Sequence, residues 1–186
     1  VPKDGAEDEI YRRISDICIS MKACDYLKLP ERVDVVRTVK LDDEAQTAYT
    51  EMEKEAVLEL GPNEIVDAGT AAVVSGKLLQ IANGAVYDEN GKTHIIHESK
   101  LDTLEDVIEA VNGRSVLVFY AYQHDLERIM QRFPQARKLE GSAEIDAWNR
   151  GEIPILLAHP AGAGHGLNLQ AGGNHTVSYT HLTLPT

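Results

Sequence analysis

Residues 100–158 alternate short, continuously apolar runs with amphipathic segments, a pattern typical of parallel α/β domains. The runs at 115–120 and 153–158 are apolar at consecutive positions, as expected of strands that are buried on both faces. The remaining predicted elements are helices at 100–111, 124–133 and 142–150 and a short strand at 136–139. Because only a few residues connect these elements, we predict a three-layer αβα domain built on a parallel sheet.

The region before this domain is predicted to be mainly helical. Asp42 or Asp43 is placed to cap a helix over 44–60, which Gly61-Pro62-Asn63 would end. A second helix is predicted over 68–81. We therefore expect a helical connecting region ahead of the sheet domain.

Two further stretches predict β-structure in the first half of the chain. Val33–Val39 is rich in β-branched residues, which favour strands. Residues 85–87 and 92–97 are predicted as the two arms of a hairpin, because they flank Asn90-Gly91, a pair that suits a tight turn. The sequence therefore predicts an isolated strand and, further along, a hairpin.

Composition excludes several classes of protein. The chain has 186 residues, of which 43% are hydrophobic, so it can bury a sizeable core. Its formal charge of −12 argues against nucleic-acid binding by bulk basicity, although a local site remains possible. The sequence contains no apolar run long enough for a membrane span, and we expect no membrane partner.

Neither the cysteines nor the histidines of the hairpin form a complete metal site. Cys18 and Cys24 are the only cysteines, which excludes a disulfide framework and favours a reduced, cytoplasmic setting. On a strand, His94 and His97 would point to opposite faces. We therefore expect solvated histidines here, and no metal held with Glu98.

The strongest candidate for chemistry is the segment His159–Gln170, called here the glycine-rich segment. It follows a predicted buried strand, and open α/β sheets bind their ligands at the carboxyl ends of such strands. Glycines let backbone approach phosphate groups closely. A flexible turn without function is the plainer alternative.

Two lysines resemble phosphate-loop lysines but lack the required context. Gly91-Lys92-Thr93 would need a glycine at position 86, where Val86 stands, and it lies in the predicted hairpin. Gly76-Lys77 is followed by Leu78 in place of Ser or Thr. No Asp-Glu pair ends a buried strand, so the chain carries no complete site for nucleotide hydrolysis.

Two other positions invite a functional interpretation. Trp148 lies in a predicted helix, where packing in the core is the better explanation than stacking on a base. His124 and Asp125 open a helix after a strand. This pair is explained either by a charge pattern that suits the helix dipole or by a helix start that faces phosphate.

Several blocks, taken in this order, resemble the second motor lobe of Swi/Snf-type superfamily II helicase-like ATPases, especially the compact phage and prophage versions. Residues 25–30 look like the exit from lobe one, and 75–87 look like the family's Leu-x-Gln-Ile-x-Asn-Gly segment. The later blocks are a Ser-Lys-Leu block at 99–102, a motif IV at 116–126 and a motif V at 161–170.

This resemblance implies a RecA-like helicase lobe that works on DNA. The motif V-like residues would grip DNA and couple it to ATP: Gly164, His165, Gly166, Leu167, Asn168 and Gln170. Tyr120 and His124 match motif IV, and Ser99 and Lys100 match the Ser-Lys-Leu block. ATP and Mg²⁺ would be used only by the complete protein, together with a lobe one of the same polypeptide. Walker motifs and the arginine-rich motif VI are missing, so the chain alone is expected to be inactive.

The expected organisation is a piece of a longer protein. Residues 1–40 would be the tail of lobe one, 41–98 the connecting helices and hairpin, and 99–176 the truncated lobe two. Residues 177–186 resemble translated sequencing-adapter sequence, and we expect them to attach loosely or to imitate a strand imperfectly. The resemblance implies a phage or prophage protein of the bacterial cytoplasm.

Two alternatives remain open from the residues. The first is an α/β enzyme that binds a small phosphorylated ligand at the glycine-rich segment, with His159, His165 and Asn168 as its candidate catalytic residues. The second is a non-catalytic interaction module with an acidic, helical first half.

Overall fold

A computed structural model of the chain describes residues 5–14, 31–59, 68–88, 90–163 and 166–179. Two compact units are present, Val1–Val36 and Arg37–Thr186. Within the first unit, helix α1 spans Ala6–Ile14 and carries exposed ion pairs from Glu9 to Arg12 and Arg13, each at 2.8 Å.

The strand predicted at Val33–Val39 is wrong. Residues 31–42 have no regular secondary structure, and Val33 and Val36 are 79% and 89% exposed. A strand needs a hydrogen-bonding partner, and none pairs with this stretch in the described part of the chain. Local β propensity alone therefore does not produce a strand here.

The second unit contains six helices and six strands among its described residues. The helices are α2 (Asp43–Glu59), α3 (Ala68–Asn83), α4 (Ser99–Ala110), α5 (Gln123–Arg132), α6 (Ser142–Asn149) and α7 (Pro160–Ala163). The strands are β1 (Ala85–Tyr87), β2 (Thr93–Ile95), β3 (Val116–Phe119), β4 (Ala136–Lys138), β5 (Ile155–Ala158) and β6 (His175–Ser178). No described helix has the length and apolar character that a membrane span requires.

The predicted parallel α/β domain is confirmed. Strands β4, β5, β3 and β6 lie in that order and pair in parallel, with Val116 opposite both Ile155 and His175. Successive side chains of a strand point to opposite faces, and each face has its own core. This arrangement is consistent with the RecA-like lobe that the resemblance implies.

Helices cover both faces of the sheet. On one face Val116 and Val118 pack in a cluster with residues of α4 and α5, among them Leu104 and Ile129. On the other face the cluster includes Leu117 and Leu156 together with Ala147 and Trp148 of α6. Trp148 is 1% exposed, which confirms its predicted place in the core.

The connecting region also follows the prediction closely. Oδ1 of Asp42 accepts the backbone N–H of Ala45 at 2.8 Å, so Asp42 caps α2. Strands β1 and β2 form the predicted antiparallel hairpin. Gly61-Pro62-Asn63, the predicted end of α2, lies outside the described residues.

Two predicted boundaries need correction. Strand β2 ends at Ile95, two residues before the predicted end, and His97 turns into the interior, where it is 4% exposed. The glycine-rich segment is not a continuous loop, because residues 160–163 form the short helix α7. Proline suits the first position of a helix, and Pro160 occupies it.

Of the two alternatives expected for the tail, loose attachment is wrong for its first three residues, and a strand is formed. Strand β6 crosses the predicted boundary between residues 176 and 177, and Val177 packs against the core. Tyr179 is 4% exposed and donates its backbone N–H to the carbonyl oxygen of Phe119 at 2.9 Å. Residues 180–186 lie outside the described residues. The adapter origin of the tail stays a prediction, since strand pairing requires only backbone groups and alternating side chains.

Replacing Tyr179 with alanine should destabilise the domain, because the substitution removes a buried ring from the main core. We expect a loss of about 3–5 kcal/mol in the free energy of unfolding, measured by urea denaturation. Thr176→Ala, at an exposed position of the same strand, is the control and should change little. Equal, small effects of both substitutions would show that the tail does not belong to the folded core.

Candidate functional site

A pocket opens at the carboxyl ends of three parallel strands. It has a volume of about 240 Å³ and is lined by Tyr120 after β3, Leu139 after β4 and His159 after β5. The glycine-rich segment contributes Ala163 and Leu167 to the same wall. Open α/β sheets bind their ligands at this edge, so the pocket is the first candidate site.

The glycine-rich segment exposes its polar side chains beside this pocket. Leu167 is partly buried, whereas Asn168 and Gln170 are exposed. Gly166 has φ +74°, a conformation that favours glycine, and a Cβ on it would meet no atom within 4 Å. Glycine is therefore favoured at this position by the backbone conformation. Steric crowding by neighbouring atoms plays no part. Gly164 and His165, which belong to the same predicted set, lie outside the described residues.

The two motif IV-like residues occupy different environments. Tyr120 is 5% exposed, and its ring meets the ring of His159 edge-on, with centroids 5.6 Å apart. His124 is 1% exposed, and its ring lies between those of Tyr87 and Tyr122, at 5.0 and 5.1 Å. Tyr120 therefore lines the pocket, while the His124 side chain is not accessible to a ligand.

Three backbone donors at the start of α5 are bound inside the protein. Oδ2 of Asp125 accepts the backbone N–H groups of Tyr122 at 3.0 Å and Ala121 at 3.4 Å. The N–H of His124 donates to the Tyr87 hydroxyl at 2.9 Å. These contacts favour the charge pattern that suits the helix dipole, and a helix start that faces phosphate stays a prediction.

Behind this edge lies a buried polar cluster that the sequence analysis did not predict. The Asn83 amide donates from Nδ2 to Oδ2 of Asp125 at 2.9 Å. Its Oδ1 accepts from Nζ of Lys100 at 2.5 Å. Lys100, a predicted site residue, thus points inward, while its neighbour Ser99 begins α4.

Gly84 allows Arg128 to enter this cluster. The Arg128 guanidinium donates to the carbonyl oxygen of Asn83 at 3.0 Å and to that of His97 at 2.5 Å. Gly84 has φ +102°, and a Cβ on it would collide with the His97 carbonyl oxygen and lie 2.7 Å from Nη1 of Arg128. No other residue fits this position without displacing the arginine.

In the sequence the members of this cluster appear only as separate signals. Asn83-Gly84 is visible inside the block at 75–87, but its partners Asp125 and Arg128 follow more than 40 residues later. The spacing of apolar residues along the chain does not predict contacts between such distant residues, because it describes one helix or strand at a time. The burial of His97 escaped prediction for the same reason.

Burial sets the protonation of two groups in this region. It lowers the pKa of Lys100 to about 8, against the opposing effect of the nearby Asp125 carboxylate. Burial also lowers the pKa of His97, whose Nε2 donates to the carbonyl oxygen of Ile81 at 3.0 Å. His97 is therefore a neutral core histidine near pH 7, which corrects the prediction that it is solvated.

The described residues contain no group of side chains arranged to hold a metal ion. His94 is exposed, as predicted, and pairs with Oδ2 of Asp88 at 2.9 Å. His94 thus contacts a residue of the hairpin turn, whereas His97 lies in the interior.

The chain is similar to known proteins in sequence and, more distantly, in structure. No protein-family model matches the chain. The chain is 42% identical over 182 residues to "Putative protein p41" of Acyrthosiphon pisum secondary endosymbiont phage 1, covering 97% of this chain and 39% of that protein. The helicase domain of Pyrococcus furiosus Hef aligns over 73% of this chain and 27% of its own, with 20% identity and a TM-score of 0.37. The chain thus spans about two fifths of the phage relative.

Substituting Gly84 with alanine should disrupt the buried cluster. The positive φ alone costs about 1–3 kcal/mol, and the collision with the His97 carbonyl adds to this. Gly91→Ala is a matched control, because Gly91 has φ +77° but no atom within 4 Å of an added Cβ. Chemical denaturation should therefore show a clearly larger loss for Gly84→Ala. Equal losses would mean that Arg128 moves aside at little cost.

The low pKa of Lys100 predicts a specific dependence of stability on pH. The folded-state pKa is about 8 and the ordinary value is 10.5, so between them the unfolded chain binds more protons. The free energy of unfolding should therefore rise with pH across this interval, by up to about 1.4 kcal/mol per pH unit, and be flat below it. Lys100→Met removes the titrating group and should abolish that rise.

The free energy of unfolding of the unmodified chain and of Lys100→Met is measured by urea denaturation across this pH interval. The quantity compared is the difference between the two free energies at each pH. Taking the difference removes the titration of the tyrosines that both proteins share. If this difference does not change with pH, Lys100 keeps an ordinary pKa in the folded protein and the prediction is wrong.

Proposed function

We propose that the chain is a fragment, mainly the RecA-like second lobe, of a Swi/Snf-type superfamily II helicase-like ATPase of phage or prophage origin. In the complete protein this lobe would grip the DNA backbone and couple the grip to ATP hydrolysis. One observation carries the proposal. Three blocks that resemble this class, represented by Asn83, Lys100 and Asp125, meet in one buried cluster directly behind the candidate edge.

This convergence supports the resemblance because the blocks are far apart in sequence. Asn83 and Asp125 are separated by 42 positions, and Asn83 and Lys100 by 17. Chance similarity to short motifs would give no reason for their side chains to contact each other. The same Asp125 carboxylate binds the N–H groups of Ala121 and Tyr122, so the cluster orders the loop that follows β3.

The glycine-rich segment is the part of this lobe that we assign to DNA. Asn168 and Gln170 are exposed there, and Gly166 leaves the backbone uncovered. Such a segment would hold phosphate oxygens through amide donors, since most protein contacts to DNA go to the backbone. The net charge of −12 implies that the isolated lobe binds DNA weakly.

ATP and Mg²⁺ would be bound mainly by a lobe one that this chain does not contain. No Walker A or Walker B motif and no arginine-rich motif VI is present in the 186 residues. An arginine finger alone contributes a factor of about a thousand or more to phosphoryl transfer. The chain by itself should therefore not hydrolyse ATP, and its partners would be DNA and the missing lobe, in the host cytoplasm.

An isotope-labelled sample of the chain, titrated at low salt with a single-stranded oligothymidylate, tests the assignment by nuclear magnetic resonance. We expect amide shifts concentrated at Gly162 and Gly166–Gln170, with weak affinity that falls as salt is added. Asn168→Ala should weaken binding severalfold. The same samples should release no phosphate from ATP, with or without DNA, whereas the phage relative should hydrolyse ATP when DNA is present.

The alternatives predict different results. Saturable binding of a small sugar phosphate in the pocket, without binding of the oligonucleotide, would favour a small-ligand enzyme with His159 at its site. Absence of both would favour an interaction module. Turnover of ATP by the isolated chain would contradict the proposed division of the motor into two lobes.

A further inference from the structure

The second half of the glycine-rich segment is held by the last two residues of helix α6. Trp148 donates its indole N–H to the carbonyl oxygen of Leu169 at 2.8 Å. Asn149 donates from Nδ2 to the carbonyl oxygen of Asn168, also at 2.8 Å. Two neighbouring side chains thus bind two neighbouring backbone carbonyls of the segment.

The chain immediately after the segment can approach this tryptophan only because it contains two glycines. A Cβ on Gly172 would collide with the indole ring and the carbonyl oxygen of Trp148. A Cβ on Gly173 would lie 3.1 Å from Cζ2 of the same ring and 3.0 Å from the carbonyl oxygen of Ser115. The backbone therefore lies directly on the indole ring, which is buried.

These contacts occupy the backbone of the segment and leave its polar side chains free to meet a ligand. The carbonyl groups of Asn168 and Leu169 accept from α6, while the side chains of Asn168 and Gln170 are exposed. A hydrogen bond that fixes a loop lowers the entropy that binding must otherwise remove.

We propose that Trp148 and Asn149 are positioning residues, which fix the backbone of residues 166–170 so that it presents Asn168 and Gln170 to the phosphate groups of a DNA strand. This inference rests on the proposed function for its ligand. The fixing of the segment itself is a property of the free chain and is testable without DNA.

The substitutions Trp148→Phe and Asn149→Ala each remove one donor. Phenylalanine keeps an aromatic ring in the core, and alanine suits the end of a helix. Asn90→Ala, at an exposed position in the hairpin turn, is the matched control for Asn149→Ala. If Trp148→Phe does not fold, Asn149→Ala alone decides the question.

Two measurements are made on each protein. In the free proteins, the amide order parameters at 166–170, measured by nuclear magnetic relaxation, should fall in both variants, with β3 and β5 unchanged, because each variant loses one hydrogen bond that holds this backbone. Affinity for the oligothymidylate should fall about fivefold, as expected for the loss of one hydrogen bond. Asn90→Ala should change neither quantity.

Unchanged order parameters at 166–170 in both variants would overturn the positioning role, whatever the DNA result. Lower order parameters with undiminished oligonucleotide binding would also overturn it, because the fixed backbone would then not matter for the ligand. If the unmodified chain does not bind the oligonucleotide at all, the proposed function fails. Lower order parameters in the variants would in that case still support the fixing of the segment by Trp148 and Asn149.

Discussion

The side-chain amide of Asn83, which joins Lys100 to Asp125 inside the protein, is the contact on which the rest of the domain depends. An amide offers both a donor and an acceptor, so it can bind an ammonium group and a carboxylate at once. Asp125 is fully buried and Lys100 is partly buried, and charges in such surroundings need partners. Aspartate at this position would lack the donor, and leucine would leave both charges without their bridge. Gly84, the next residue, then lets Arg128 bind the same turn of backbone.

The carboxylate of Asp125 connects this interior contact to the loop at the edge of the sheet. Oδ2 of Asp125 accepts from the amide of Asn83 and from the N–H groups of Ala121 and Tyr122, immediately after Tyr120. The ring of Tyr120 meets that of His159 at the start of the glycine-rich segment. The segment is thus contacted from β3 at its beginning, through His159, and from α6 near its end, through the backbone of Asn168 and Leu169.

Hydrophobic period was sufficient to predict the parallel sheet and most helix boundaries to within about two residues, because β3 and β5 are apolar on both faces. It failed where structure depends on distant partners. Val33–Val39 has strand propensity but pairs with no strand in the described part of the chain, and the inward position of Lys100 becomes evident only when Asn83 is placed beside it. The pocket at the edge could be predicted from strand order, whereas the burial of His124 and the contacts that hold the glycine-rich segment could not. These features arise from packing between elements, which local pattern does not encode.

A double-mutant cycle between Asn83 and Asp125 tests most directly whether this buried bridge holds the domain together. Urea denaturation of Asn83→Ala, Asp125→Ala and the double variant gives the coupling energy of the pair. We predict a coupling of about 1–3 kcal/mol, with a control cycle between Asn83 and the exposed Arg150 additive to within about 0.5 kcal/mol. Additive effects for Asn83 and Asp125 would contradict the account, because the two blocks would then meet in space without depending on each other.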